Sequence, residues 1–137
     1  MVNQQFATAV HVLTALAFNR KKLMSSDALA RSVNTNPVVI RRLLSQLSKC
    51  SLVTTTRGKT GGVQLSKDPN QINLKDIYLA LSPVDPIAPR DQSPHKECVV
   101  SCAMHSIMTT VSTGTQKATL KYLESQKLSD LIKKIPK

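Results

Sequence analysis

The side chains best equipped for chemistry cluster in HKECVVSCAMH, His95 to His105, which holds two of the three cysteines and two of the three histidines. Cys98, Cys102, His105 and His95 together offer two thiols and two imidazoles, a chemically possible donor set for tetrahedral zinc. An iron–sulfur cluster normally rests on more thiolates than two. A reactive thiol without a resident metal or cofactor is therefore preferred. Ser101 is expected to cap the helix that starts here, making Cys102 its first residue. Unpaired backbone N–H groups and the helix dipole stabilise a thiolate at that position. Lys96 and a protonated His105 would add positive charge. Such a thiolate attacks oxidants and electrophiles, quinones among them. Cys102 is the first choice for the sensing thiol and Cys98, just before the helix, the second. Inert packing is the plainer alternative. It is the expectation for Cys50, a small hydrophobe taken to be buried before an apolar strand.

A second chemically loaded set is basic. Nineteen Lys and Arg face eight Asp and Glu, for a net charge of +11. Residues 1–67 hold ten basic and one acidic side chain, the remainder nine and seven. An excess confined to one folded-looking half favours a polyanionic partner, nucleic acid first and a membrane surface second. Aromatics at 3% are too sparse to stack single strands, and no strongly amphipathic basic helix points to a membrane. The eight carboxylates and the lack of a Ser-His-Asp arrangement argue against an enzyme. GKTGG, Gly58 to Gly62, lacks the spacing and the following helix of a nucleotide-binding loop. The start MVNQQFATAV lacks the charge and apolar run of a secretory signal. An odd cysteine count does not make a disulfide framework. The expectation is a cytoplasmic protein with reduced thiols and no membrane partner.

The elements that must position these groups follow from periodicity. Phe6, Val10, Leu13 and Ala17, widened by Val12 and Leu16, predict a helix over 3–18. SSDALARSV predicts a short helix capped by Ser25 or Ser26. NTN is turn chemistry, and Pro37 suits a helix start because its missing N–H costs nothing there. PVVIRRLLSQLSKC continues with Val39, Leu43, Leu44 and Leu47 on one side. SLVTTTR and VQLS, separated by GKTGG, predict a hairpin with a basic tip. A fourth helix is expected over Asn73–Leu81, with Leu74, Ile77, Tyr78 and Leu81 inward. Four prolines then make residues 82–94 a loop. A long helix over 101–126 and a short one in LSDLIKKI, capped by Ser129, close the chain.

Helix, short helix, turn, helix, hairpin is the order of a winged helix-turn-helix. The expected fold class is mostly α with a small β-hairpin wing and a long C-terminal helix, a dimerisation helix because too little chain remains to cover its apolar stripe. Residues 1–82 form the DNA-binding domain, 83–100 a Pro-rich sensor loop, and 101–137 the dimerisation and C-terminal helices. Recognition helices read base edges from their N-terminal turns. Thr35, Asn36, Pro37, Val38, Arg41 and Arg42 are thus the candidates for duplex contact, with Arg57, Lys59 and Thr60 at the wing tip and Ser26 at the start of the preceding short helix.

The stretch SVNTNPVVIRRLLSQLSKCSLVTTTRGKTGGVQLSKDPNQINLKDIYLAL resembles the DNA-binding half of the Rrf-two family of bacterial transcription regulators. The likeness extends through the late S-D-L helix. It implies a homodimer built through roughly 101–126 on a palindromic double-stranded operator, usually as a repressor, with added contacts from Gln4 and Gln5. One branch of that family carries an iron–sulfur cluster on three cysteines of the loop and early long helix. This chain has two there, closely spaced, so a cluster- or metal-responsive regulator is the runner-up. The expected effector is a small oxidant or electrophile.

Overall fold

The computed structural model describes residues 4–136, and the expected helix start at Asn3 lies outside them. Helix α1 spans Gln5–Phe18, α2 Ser26–Val33 and α3 Pro37–Lys49. Strands β1 (Val53–Thr56) and β2 (Gly62–Leu65) pair antiparallel, with Val53 opposite Leu65 and Thr56 opposite Gly62. A 3-10 turn, Pro69–Gln71, leads into α4 (Leu74–Ala80). A long loop then reaches α5 (Val99–Glu124), and α6 (Leu128–Ile132) ends the fold.

Local chemistry fixes the helix-turn-helix. Ser25, rather than Ser26, caps α2, its hydroxyl accepting the Ala28 N–H at 3.0 Å. The helix ends on Asn34 in the left-handed region (φ 65°), a conformation Asn tolerates, and the Thr35 N–H closes onto the Ala30 carbonyl at 2.9 Å. Asn36 Oδ1 accepts the Val38 N–H at 2.8 Å and Pro37 opens α3. Ile40, Leu43, Leu44 and Leu47 are the inward stripe of α3. Val39, expected there, is 47% exposed. In the unbroken apolar run Val38–Ile40 only one residue can face the core, and the phase set by the three leucines selects Ile40.

The wing is tied to this unit through the start of β2, just after its tip. The Met24 N–H donates to the Val63 carbonyl at 3.0 Å, and the Val63 N–H returns to the Met24 carbonyl at 2.8 Å. Gly62 must be glycine for this approach, since a Cβ would stand 2.9 Å from both Leu23 Cβ and the Met24 oxygen. At the tip a Cβ on Gly61 would lie 2.0 Å from the Thr56 carbonyl oxygen.

One core runs from Ala9, Val12, Leu13 and Leu16 of α1, through Leu29, Ile40 and Leu47, to Ile72, Ile77 and Leu128. Each of these Val, Leu and Ile side chains contributes roughly 1.5–3 kcal/mol on burial. Helix α6 belongs to this core. Leu128 is fully buried, its N–H donates to the Ile72 carbonyl at 2.8 Å, and Leu74 N–H donates to the Gln126 carbonyl at 2.9 Å. Ser129 does not cap α6; the Asp130 carboxylate accepts the Lys127 N–H instead. Asn73 and Asp76 cap α4 reciprocally, side chain to backbone, at 2.9 and 3.1 Å.

Helix α5 is the exception to this burial: none of its 26 residues is buried. It begins at Val99, two residues before the expected cap, because Cys98 occupies the capping position. The loop ahead of it is held by Asp85, which accepts hydrogen bonds from the Ser112 hydroxyl of α5 and, at 2.9 Å, from the Ile87 N–H. The Ser112 hydrogen bond, then that of Ile87, holds the Asp85 carboxyl below the usual carboxylate range, with Gln116 adding to the effect and partial desolvation opposing it.

Candidate nucleic-acid interface and sensor loop

The outer side of α3 and the wing enclose a concave surface of about 820 Å³. Arg41, Ser45, Ser48 and Lys49 line it from the helix, Thr54, Thr55 and Arg57 from the wing, and Ser26 from α2. At 100° per residue Arg41 and Ser48 point toward the wing. Val38, Arg42, Ser45 and Lys49 form the stripe opposite the core. Cations and hydroxyls dominate the lining, and it contains no carboxylate. Among the described residues the one ion pair joins Lys75 to Glu124 at 2.9 Å, and neither residue lines this surface. Its positive charge is therefore uncompensated.

The expected contact residues are placed unequally. Ser26, Arg41 and Arg57 share the concave surface. Val38 is 48% exposed at the start of α3, and Arg42, Lys59 and Thr60 are exposed beside it and on the wing tip. Asn36 and Pro37 are committed to starting the helix, and Thr35 is half-buried in the turn. Gln4 precedes α1 and accepts the Thr8 N–H at 3.0 Å. Gln5 donates from Nε2 to Gln46 Oε1 of α3 at 2.7 Å, so it braces the recognition helix. Periodicity missed Lys49, Ser45, Ser48 and the two wing threonines. The outward stripe of α3 contains the first two, had it been read for polar groups.

The cysteines differ from expectation in detail. The Cys98 sulfur caps α5, accepting the Ser101 N–H at 3.4 Å. Ser101 instead accepts the His95 N–H at 2.8 Å, and Cys102 lies one turn inside the helix. The exposed Cys102 thiol is directed at the carbonyls of His95 and Lys96, 3.7 and 3.8 Å away. Cys50 is exposed at the end of α3, not buried, because the chain turns outward through left-handed Ser51 (φ 60°). His11, on α1, is exposed and hydrogen-bonded to Ser32 at 2.9 Å.

A family model described as Rrf2, iron-dependent transcriptional regulator, matches residues 2–134. The chain belongs to the Rrf2 family. It is an Rrf2-type transcriptional regulator with a DNA-binding winged helix, and not an enzyme. YwnA of Bacillus subtilis (strain 168), named as an HTH-type transcriptional regulator, is 33% identical over 132 residues, covering 96% of this chain and 97% of its own. The crystal structure of a transcriptional regulator from Lactobacillus plantarum superposes with a TM-score of 0.79 at 30% identity, covering 93% of this chain and 87% of that one. CymR, the global cysteine regulator of B. subtilis, shares the fold with a TM-score of 0.68 at 22% identity, over 99% of this chain and 98% of its own.

The family description raises iron, and the donor set does not fit it. Cys98 is engaged as a cap and Cys102 faces carbonyl oxygens. Among the described residues no three His, Cys, Asp or Glu side chains converge, so His95 and His105 do not complete a site with the two thiols. Two sulfurs turned to separate partners are a poor frame for a cluster that depends on thiolates. No helix among the described residues is long and apolar enough to cross a membrane.

Proposed function

We propose that this Rrf2 protein is a cytoplasmic repressor that binds a palindromic duplex as a homodimer and releases it when Cys102 is modified by an oxidant or electrophile. The uncompensated cationic groove between α3 and the wing carries the DNA half. Arg41, Lys49 and Arg57 suit phosphate or guanine edges, and exposed Val38 and Val39 suit thymine methyls. The dimer is supported by α5. Val100, Met104, Ile107, Val111, Gly114 and Ala118 follow one another at alternating three- and four-residue spacing. That line faces away from α4 and, apart from Met104 at its edge, away from the loop, with Val100 66% exposed and Ile107 50% exposed. A seam of this period is what two helices bury against each other.

The test begins with an operator selected from random duplexes. Affinity should fall steeply with salt, and Arg41→Ala with Arg42→Ala should weaken it further. Indifference to both would refute DNA recognition by this surface. Titrating an electrophile while following operator binding, for wild type and Cys102→Ser, tests the sensor. If the two proteins release DNA alike, Cys102 is not the sensing residue.

A further inference from the structure

A second cleft, of about 320 Å³, lies between loop residues 89–94 and the first turns of α5. Met104 and Met108 give it an apolar floor, Arg90 and His105 line it as cationic or potentially cationic groups, and Ser101 and the Cys102 thiol complete the wall. No carboxylate lines it, although Asp91 and Glu97 are near in sequence. One Arg90 N–H is spent on Gln92 Oε1 at 2.7 Å, and the guanidinium has further donors for a planar anion. Thioethers are polarisable and pack well against aromatic rings. The volume sits at the lower end of the range for small-molecule sites. Ser101, Cys102, His105 and Met108 occupy the flank of α5 beside the seam of Val100, Ile107 and Val111, so a second copy seated on that seam leaves this flank open.

We infer that this cleft is a reversible binding site for a small aromatic carboxylate, whose charge is held by Arg90 and whose ring lies on Met104 and Met108. Occupancy covers the Cys102 thiol without forming a bond to it. The effect on DNA rests on the proposed function; the binding itself does not.

The probe is benzoate, with full-length protein labelled at the methionine methyls. Met104 and Met108 resonances should shift saturably while that of Met24 stays still. Arg90→Gln, an exposed loop position, should raise the dissociation constant about tenfold. Benzyl alcohol, with the ring but no charge, should bind as weakly as benzoate binds the variant. Benzoate should also slow alkylation of Cys102 by iodoacetamide and leave Cys50 unaffected. The inference is overturned if no saturable shift occurs up to about 10 mM, or if benzyl alcohol and Arg90→Gln match wild type with benzoate. Operator binding separates the two readings. If benzoate fails to bind yet alkylation at Cys102 releases DNA, the site falls and the thiol sensor stands. If benzoate binds and shields Cys102 while electrophiles release DNA equally from Cys102→Ser, the site stands and the thiol sensor falls.

Discussion

Replacing Arg57 by Ala probes whether the wing contacts phosphate. Arg41, Arg42, Lys49, Arg57 and Lys59 are all exposed, and none enters a salt bridge among the described residues. If each neutralises one phosphate, two protomers displace the counterions of about ten, and the slope of log affinity against log salt is about −9. Removing Arg57 deletes two contacts per dimer and should bring the slope to about −7. Between about 50 and about 200 mM salt, wild type should then lose about five decades of affinity and the variant about four. Fluorescence anisotropy of a labelled operator measures both lines. Lys134→Ala is the control. It removes the same charge from an exposed position just after α6, which packs on α1 and the 3-10 turn. If local contacts in the groove set the salt response, Lys134→Ala leaves the slope near its wild-type value. An equal drop for both variants would refute it, because the chain's overall +11 field, and no local contact, would then set the salt response.

Four further outcomes follow from named contacts. Ile107→Glu should convert dimer to monomer in sedimentation velocity with the circular dichroism retained, since the side chain is half exposed in the protomer. Gly61→Ala forces a Cβ into the Thr56 carbonyl, so the wing tip must move; operator affinity should fall at least about tenfold, with a melting temperature within a few degrees of wild type. Leu128→Ala empties a fully buried site and should cost about 2–5 kcal/mol in urea unfolding, although it lies far along the chain from the wing. For Asp85, whose pKa is lowered in the folded protein, the loop tie is present above the ordinary carboxylate value and lost as pH falls through the folded one. The tie should therefore hold at neutral pH in wild type, and Asp85→Ala should speed amide exchange at Ile87 relative to wild type when both are measured at pH 7.

The helix-turn-helix was legible because its signals are local. Asn36 and Pro37 start α3 by chemistry confined to adjacent residues, and the GKTGG tip needs glycine for contacts within the hairpin. Phase was harder. Val38, Val39 and Ile40 are alike in hydropathy, and only the later leucines decide which turns inward. The start of α5 was misplaced because Ser outranks Cys as a cap in general, yet here Ser101 binds the His95 N–H and leaves Cys98 to cap. The 3-10 turn was overlooked although Asp68 and Pro69 form the same acceptor-then-proline signal that marked α3. The tie between Asp85 and Ser112 spans 27 residues, and nothing near Asp85 announces it. The cleft beside Cys102 depends on the same long-range folding of the loop.

That loop geometry explains how chemistry at one end of α5 could reach the DNA-binding unit. At 1.5 Å per residue the 26-residue helix is about 39 Å long. Its C-terminal end is fixed: Lys75 of α4 meets Glu124, and Leu128 just beyond is sunk in the winged-helix core. Its N-terminal end holds Cys98 and Cys102 and is tied to its own chain chiefly through the loop. A rod pinned at one end moves most at the other, and a tilt of about 5° displaces the free end by about 3 Å. In a dimer whose seam runs along the exposed stripe, both ends are coupled in reverse. A change that repositions the cysteine-bearing turn against the partner helix must be absorbed at the pinned end, where the winged-helix units are attached. Two recognition helices that fit successive major grooves tolerate little change in separation. On the proposed function, the absence of buried residues on α5 is what suits it to this role, since a helix locked in a protomer's core could not transmit such a shift.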